Sequence, residues 1–489
     1  MEAYMKKIIT VLLAAIMLLS VVACAENSDK GNDKVNQNST QEGKIWDKKE
    51  IDLDGYVFSI MSSASSGGLT GWDGADIECE EITGNEVLDE VYNRNRLIEQ
   101  TYNCVIQWVD AVDASTVKNT IMAGNEEDAA MISRTIKETF GYLEEDLLLD
   151  LNDPSFTHLD LKQDWYSQTV QRDTTVAGQL YFVNGDMLFT DETAMWITLF
   201  NKELAARYMP DVNLYEAVKN GEWTVDMLMQ YAALATTEVL ADDKMTYQDQ
   251  WGYVGEGPNV AALVTAAGHR YASITEDGGI VSNVFTPEFQ TVYKKCYDTV
   301  DKSFCLLASD ILGVDSIFNT MDSVFYEGRA LFMITGMNRT LGFREMDTDF
   351  GILPLPKNSV EQQEYYTWTT YNTNVVSIPY TCSDPERTSA IMEALFEESS
   401  YALRTAYIDK AVKYQSTRDD DSIDMLDIII DSTVYDIGVV YDFGGIYTAL
   451  NNMAKNRTIN QLSSTLTKAK SAVTNDIDEI LIKFGYKTA

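Results

Sequence analysis

The sequence predicts an α/β fold, and three observations predict it. Short β-rich or fully apolar runs recur from residue 53 to residue 378. Amphipathic helical stretches stand between them. The first strand, helix and strand, over residues 53–109, form a βαβ unit, which implies a parallel sheet. A chain of 489 residues has room for two or three domains.

Residues 53–60 alternate and are rich in β-formers, so they read as a strand that ends at Ser62, Ser63 and Ser65. Residues 85–103 read as a helix, with Leu88, Val91, Ile98 and Tyr102 on one face. A second strand follows at 104–109, a third at 129–133, and a helix at about 136–148. Residues 179–186 read as a strand ending in the Asn184-Gly185 turn, and 194–200 as another. Asn201-Lys202-Glu203-Leu204 opens a helix, and 213–220 and 224–236 are further helices, the latter capped by Thr224. Residues 252–257, with three glycines, read as a break before a helix at 260–267. Helices are expected at 287–300 and 316–328, and apolar strands at 330–336, 350–356 and 374–378. The rest is mostly helical: 384–408, 423–432, 445–455 and 460–484. No internal repeat is visible.

The N-terminus is built differently. Lys6 and Lys7 precede an apolar run over residues 8–22, too short to span a bilayer as a mature helix but suited to a signal peptide. It ends in Val21-Val22-Ala23-Cys24, which resembles the lipobox of bacterial lipoproteins, in which the cysteine receives a diacylglyceryl group before cleavage. The resemblance implies a signal peptide over 1–23 and a lipid on Cys24, so that the mature chain is anchored rather than spanning. Residues 25–50 are Asn-, Asp-, Ser-, Lys- and Gln-rich with little to bury, and read as a disordered tether reaching roughly 25–30 Å.

Composition excludes several partners. The formal charge is -39; losing Lys6, Lys7 and Glu2 with the leader makes it -40. Nucleic acid and anionic lipid surfaces both require basic protein surfaces. Beyond Cys24 there are Cys79, Cys104, Cys296, Cys305 and Cys382, without a CxxC, so no disulfide framework is legible. The two histidines, His158 and His269, lie in no metal-binding pattern, and no metal or other cofactor is expected. Asp419-Asp420-Asp421 lacks the glycine and distal glutamate of a calcium loop. No GxSxG, P-loop or Cys/His arrangement is present.

Three further segments resemble the extracellular solute-binding proteins of the maltose-binding type, the receptors of ABC importers. Phe200-Asn201-Lys202-Glu203-Leu204 is similar to that family's Y-N-K-D-L segment. Residues 325–336, from Phe325-Tyr326-Glu327-Gly328-Arg329 to Thr335-Gly336, resemble its F-x-x-G-[KR]-A-A-M-x-x-x-G segment. Residues 350–356, Phe-Gly-Ile-Leu-Pro-Leu-Pro, resemble its G-x-x-P-L-P strand. Their order fits across residues 50–489.

The resemblance implies two α/β lobes of the periplasmic-binding-protein type joined by three inter-lobe crossings, expected near 191–195, 334–338 and 374–380. Residues 51–192 with 337–375 then form the N-terminal lobe, and 195–334 with 379–489 the C-terminal lobe. It implies a monomer, tethered at the outer face of the cytoplasmic membrane, that holds a solute in the cleft and delivers it to permease subunits without catalysis. A secreted carbohydrate-active enzyme and a surface adhesion or sensing lipoprotein are the alternatives.

Ligands of open α/β sheets sit beyond the carboxyl ends of the strands. That rule selects Ser62, Trp72, Asp186 and Asn338. Tyr371 and Trp368 cluster before the expected third crossing, where Trp368 reads either as the stacking platform for a neutral sugar or as a buried structural tryptophan. Trp196 lies on an apolar strand and suits core packing better. Tyr441 precedes a helix of the far lobe that can reach the cleft.

Overall fold

The computed structural model describes residues 51–62, 76–188, 190–408 and 419–488. The expected signal peptide, Cys24 and the tether lie outside the described residues.

Two sheets carry the fold. In the first, β1 (Tyr56–Ser62) pairs in parallel with β2 (Cys104–Asp110) and β3 (Met131–Thr135). The second contains β4 (Trp196–Asn201), β5 (Trp251–Gly255) and β8 (Cys305–Leu307), with a separate small hairpin of β6 (Ala272–Ile274) and β7 (Ile280–Ser282) between the last two in sequence. It is completed by β9 (Ala330–Gly336) and β10 (Phe350–Leu353), in the order β10-β4-β9-β5-β8. Two residues of β11 (Thr367–Trp368) pair with β13 (Thr433–Val434). β12 (Asn374–Ser377) runs antiparallel to β3 and closes the first sheet as β12-β3-β1-β2.

Local chemistry explains the boundaries. The Glu86–Tyr102 helix starts where Asn85 accepts the N–H of Val87 at 3.1 Å and ends on Asn103 in the left-handed region. Asn201 accepts the N–H of Leu204 at 2.9 Å and so turns β4 into the Lys202–Tyr208 helix. Residues 252–257, read from sequence as a break, contain a central strand instead. A Cβ on Gly252 would collide with the Ala232 backbone of the covering Val225–Ala235 helix, so the glycine marks close helix–sheet approach. The run 179–186 is not a continuous strand; Val183 alone bridges to Val376.

Sheet membership fixes the path between lobes and corrects the expected one. The chain leaves the first sheet after Val183 and enters the second at β4. There is no crossing at 334–338, because β9 and β10 belong to the same sheet. All four residues of β10 are buried, and it pairs along β4, so it belongs to the second lobe rather than the first. The next passage lies between β10 and β12, and residues 374–377 therefore complete an entry into the first lobe rather than an exit from it.

The Pro385–Tyr401 helix stays in the first lobe. Ile391, Ala394 and Phe396 share a core with Phe58, Ile60 and Ile98, and Arg94 donates to Ser399 at 3.1 Å. The last passage falls between that helix and the Asp420–Asp431 helix. There Ser422 accepts the N–H of Ile352 at 3.1 Å and Leu426 packs with Ile352.

Candidate functional site

Parallel β1, β2 and β3 end at Ser62, Asp110 and Thr135; parallel β5, β8 and β9 end at Gly255, Leu307 and Gly336. The candidate site is built at these ends, where open sheets bind their ligands. After β9 the chain tightens into the turn Met337–Phe343, which bears Asn338 and Arg339. The Arg339 guanidinium donates to Asp322 at 2.6 Å and to Glu256, the residue after β5, at 3.1 Å, and lies 5.5 Å from the Phe318 ring. Burial raises the pKa of both carboxyl groups, while Arg339 pulls them back down. Asn319, Asp322, Ser323, Tyr326, Asn338 and Arg339 line a groove of about 490 Å³.

The Ile446–Asn456 helix abuts this strand end so closely that a Cβ on Gly257 would collide with Asn451 and Lys455. From the first lobe, Thr135 caps the Ile136–Glu144 helix, whose first turn carries Lys137. The Lys137 ammonium sits 5.0 Å over the Tyr371 ring, and that ring meets Tyr447 of the second lobe edge-on at 6.1 Å. Tyr441 packs against Phe140 at 3.9 Å and stacks on Phe443 at 4.9 Å. Burial pushes the Tyr371 and Tyr441 phenols upward, so both are neutral hydroxyls at physiological pH. The hydroxyls of Tyr441 and Thr373 and the amide oxygen of Asn451 are buried without a hydrogen-bond partner. Aromatic faces beside unspent neutral donors and acceptors suit a polyhydroxylated ligand.

The residues expected from sequence separate into groups. Asn338, Tyr371 and Tyr441 fall among the residues of this candidate site. Trp72 and Ser63 lie outside the described residues. Ser62 is buried at the end of β1, its carbonyl accepting the N–H of Ala111 at 2.7 Å. Asp186 pairs with Arg404 at 2.8 Å in a separate recess beside the first passage, with Glu192, Met195 and Tyr435.

Trp368 is corrected. It is 1% exposed, held in the β11–β13 pairing, with its ring 5.1 Å from Trp196. Both indoles are enclosed, so Trp368 packs the seam and offers no open face here. Lys137, Glu256, Arg339, Tyr447 and Asn451 were not singled out. The first three follow β3, β5 and β9 and could have been found by the rule that found Asn338. Tyr447 and Asn451 sit on a helix and carry no local signal. A larger recess of about 550 Å³ flanks the linking segments at Tyr365 and Tyr366. Lys357 and Arg270 already sit over those two rings, at 5.2 and 5.4 Å.

Among the described residues no cluster of His, Cys, Asp or Glu could hold a metal ion, and no helix is long and apolar enough to cross a membrane. The five described cysteines are free thiols.

No protein-family model matches the chain, and no curated protein sequence does either. Solved structures do. A cyclo/maltodextrin-binding protein complexed with maltotetraose matches with a TM-score of 0.55 at 13% identity, over 87% of this chain and 97% of that one. A family 1 extracellular solute-binding protein from Bifidobacterium longum subsp. infantis gives 0.54 at 12% identity, over 85% and 99%. The maltose-maltodextrin binding protein of Alicyclobacillus acidocaldarius gives 0.51 at 12%, over 85% and 100%. The fold is that of two-lobed solute-binding proteins.

Proposed function

We propose that this chain is an extracytoplasmic receptor that binds a carbohydrate between its lobes and delivers it, chemically unchanged, to an ABC importer. One observation carries the reading. The two lobes meet at Tyr371, Tyr447 and Tyr441, where the buried hydroxyls of Tyr441 and Thr373 stand without partners. A sugar's C–H face packs on such rings while its hydroxyls occupy the unspent polar atoms. Structural neighbours bound to maltotetraose and to maltotriose support this ligand class. The apolar run that ends at Cys24 supports a lipid anchor on the outer face of the membrane, with the polar stretch after it as tether.

A thermal-shift panel of maltose, maltotriose, maltotetraose and raffinose tests the receptor reading. A binding sugar raises Tm as RT ln(1 + [L]/Kd), and a panel without any stabilising member removes the proposed ligand class. Cys24→Ser should release the protein from membranes. Retention at the membrane would instead count against the anchor.

A further inference from the structure

In the candidate site the charges of the second lobe balance and those of the first do not. At the ends of β5 and β9, Arg339 is held between Asp322 and Glu256, and the stem of Lys455 lies across Gly257, beside Glu256. Two cations there stand against two carboxylates. At the end of β3 stands Lys137, exposed, its ammonium in no ion pair or hydrogen bond among the described residues. The acids around it are already engaged. Glu138 accepts from the Arg134 guanidinium twice, at 3.0 Å each, and Asp442, across the lobes, accepts the N–H of Thr448 at 3.1 Å.

Lys137 is also misplaced for its own helix. It stands in the first turn of Ile136–Glu144, where the helix dipole favours an acid. Its position is nonetheless fixed. The N–H of Ile136 donates to the carbonyl of Thr373 at 2.8 Å and that of Lys137 to the carbonyl of Tyr371 at 3.3 Å. The ammonium is thereby held 5.0 Å over the Tyr371 ring, and Phe140, one turn on, packs on Tyr441. Contact with a ring face leaves the three N–H donors of the ammonium unspent. Beside the start of this helix the Thr373 hydroxyl is fully buried and has no partner.

We propose that the ligand is an acidic saccharide, an oligosaccharide containing a uronic acid, whose ring lies against Tyr371 and Tyr447 and whose carboxylate is taken by Lys137. This rests on the receptor reading above and narrows its ligand class. A neutral sugar leaves the Lys137 charge unanswered, whereas a carboxylate accepts charge-assisted hydrogen bonds from it. The neutral parent chain still binds through rings and hydroxyls, but more weakly. The net charge of -39 repels an anion at a distance, which salt screens, while the contact with Lys137 is short-ranged.

The test is titration calorimetry at about 0.15 M salt, where charges more than about 8 Å apart are largely screened. Trisaccharides of glucose, galactose and mannose are compared with the same trisaccharides carrying one glucuronic, galacturonic or mannuronic acid. At least one uronate should bind about tenfold or more tighter than its neutral parent, the effect of one charge-assisted hydrogen bond. Lys137→Met should bring that ratio to about one. Lys162→Met, the same loss of charge at an exposed lysine outside the site, should keep it. Both lysines are exposed, so both variants fold. Neutral sugars that bind as tightly as their uronates overturn the inference and leave the receptor reading standing. A ratio that survives Lys137→Met, or falls equally with Lys162→Met, overturns the role of Lys137 and the inference with it. If no member of any pair binds, the receptor reading itself fails.

Discussion

Two aromatic groups lie where the lobes meet, and they differ in how completely their partners are made. Trp196 and Trp368 are enclosed, each on a strand, with the neighbouring backbone paired through β11–β13 and the Met195–Thr369 bridge. Tyr371, Tyr441 and Tyr447 touch across the lobes, yet the hydroxyl of Tyr441 is unpartnered and a lysine sits over Tyr371. The tryptophans are part of what joins the lobes. In the proposed function, the tyrosines exchange these contacts for those of a ligand.

The largest expected effect tests the tryptophan side. Trp368→Ala should cost about 3–5 kcal/mol of stability in the unliganded protein, as for other large buried aromatics. Calorimetric melting measures it, and an unchanged Tm would show that Trp368 does not pack the seam.

The next separates the two groups by pH. Asp436 caps the Ile437–Tyr441 helix that carries Tyr441, accepting the N–H groups of Tyr271, Ala272 and Gly438. Burial pushes its carboxyl up to about 6, although those donors and Arg270 pull it down. The folded state therefore holds this proton more tightly than the unfolded chain, whose Asp titrates near about 4. The stability from that proton is complete below about 4 and is lost as pH rises through about 6. Melting curves between pH 4 and 7 should show wild type losing stability relative to Asp436→Asn across that window, by up to about 2–3 kcal/mol. Parallel curves would refute the shift.

The smallest effect isolates one hydroxyl. Tyr441→Phe removes a buried group without a partner, so apo stability should change by less than about 0.5 kcal/mol or rise. Sugar affinity should fall by about 0.5–1.5 kcal/mol by titration calorimetry if the ligand uses that hydroxyl. Equal affinity would place the ligand elsewhere.

How much of this was legible depends on how local its cause is. The Glu86–Tyr102 and Val225–Ala235 helices are marked by side-chain caps and apolar period, and both could be read from the sequence. β5 was hidden because its glycines read as punctuation, whereas Gly252 serves close packing against Ala232. β10 was placed in the wrong lobe because its sheet is decided by pairing with β4, some 150 residues earlier. Of the two readings of Trp368, the stacking one fails for a similar reason. Its threonine-rich surroundings suggest a surface loop, whereas its burial comes from a strand at Thr433–Val434. Asn338 was placed at the end of β9 by strand direction alone, and it lines the groove there. Tyr447 was not, because only the meeting of two lobes gives it a role.

The interleaved path of the chain also bears on how such a protein can change over generations. The first sheet draws β1 to β3 from one part of the chain and β12 from another, with the whole second sheet encoded between them. No single cut in the coding sequence separates one lobe from the other. A recombination break between residues 202 and 373 would pair part of one ancestor's first sheet with β12 of another, so new specificities should arise by substitution at the strand ends far more readily than by exchange of lobes.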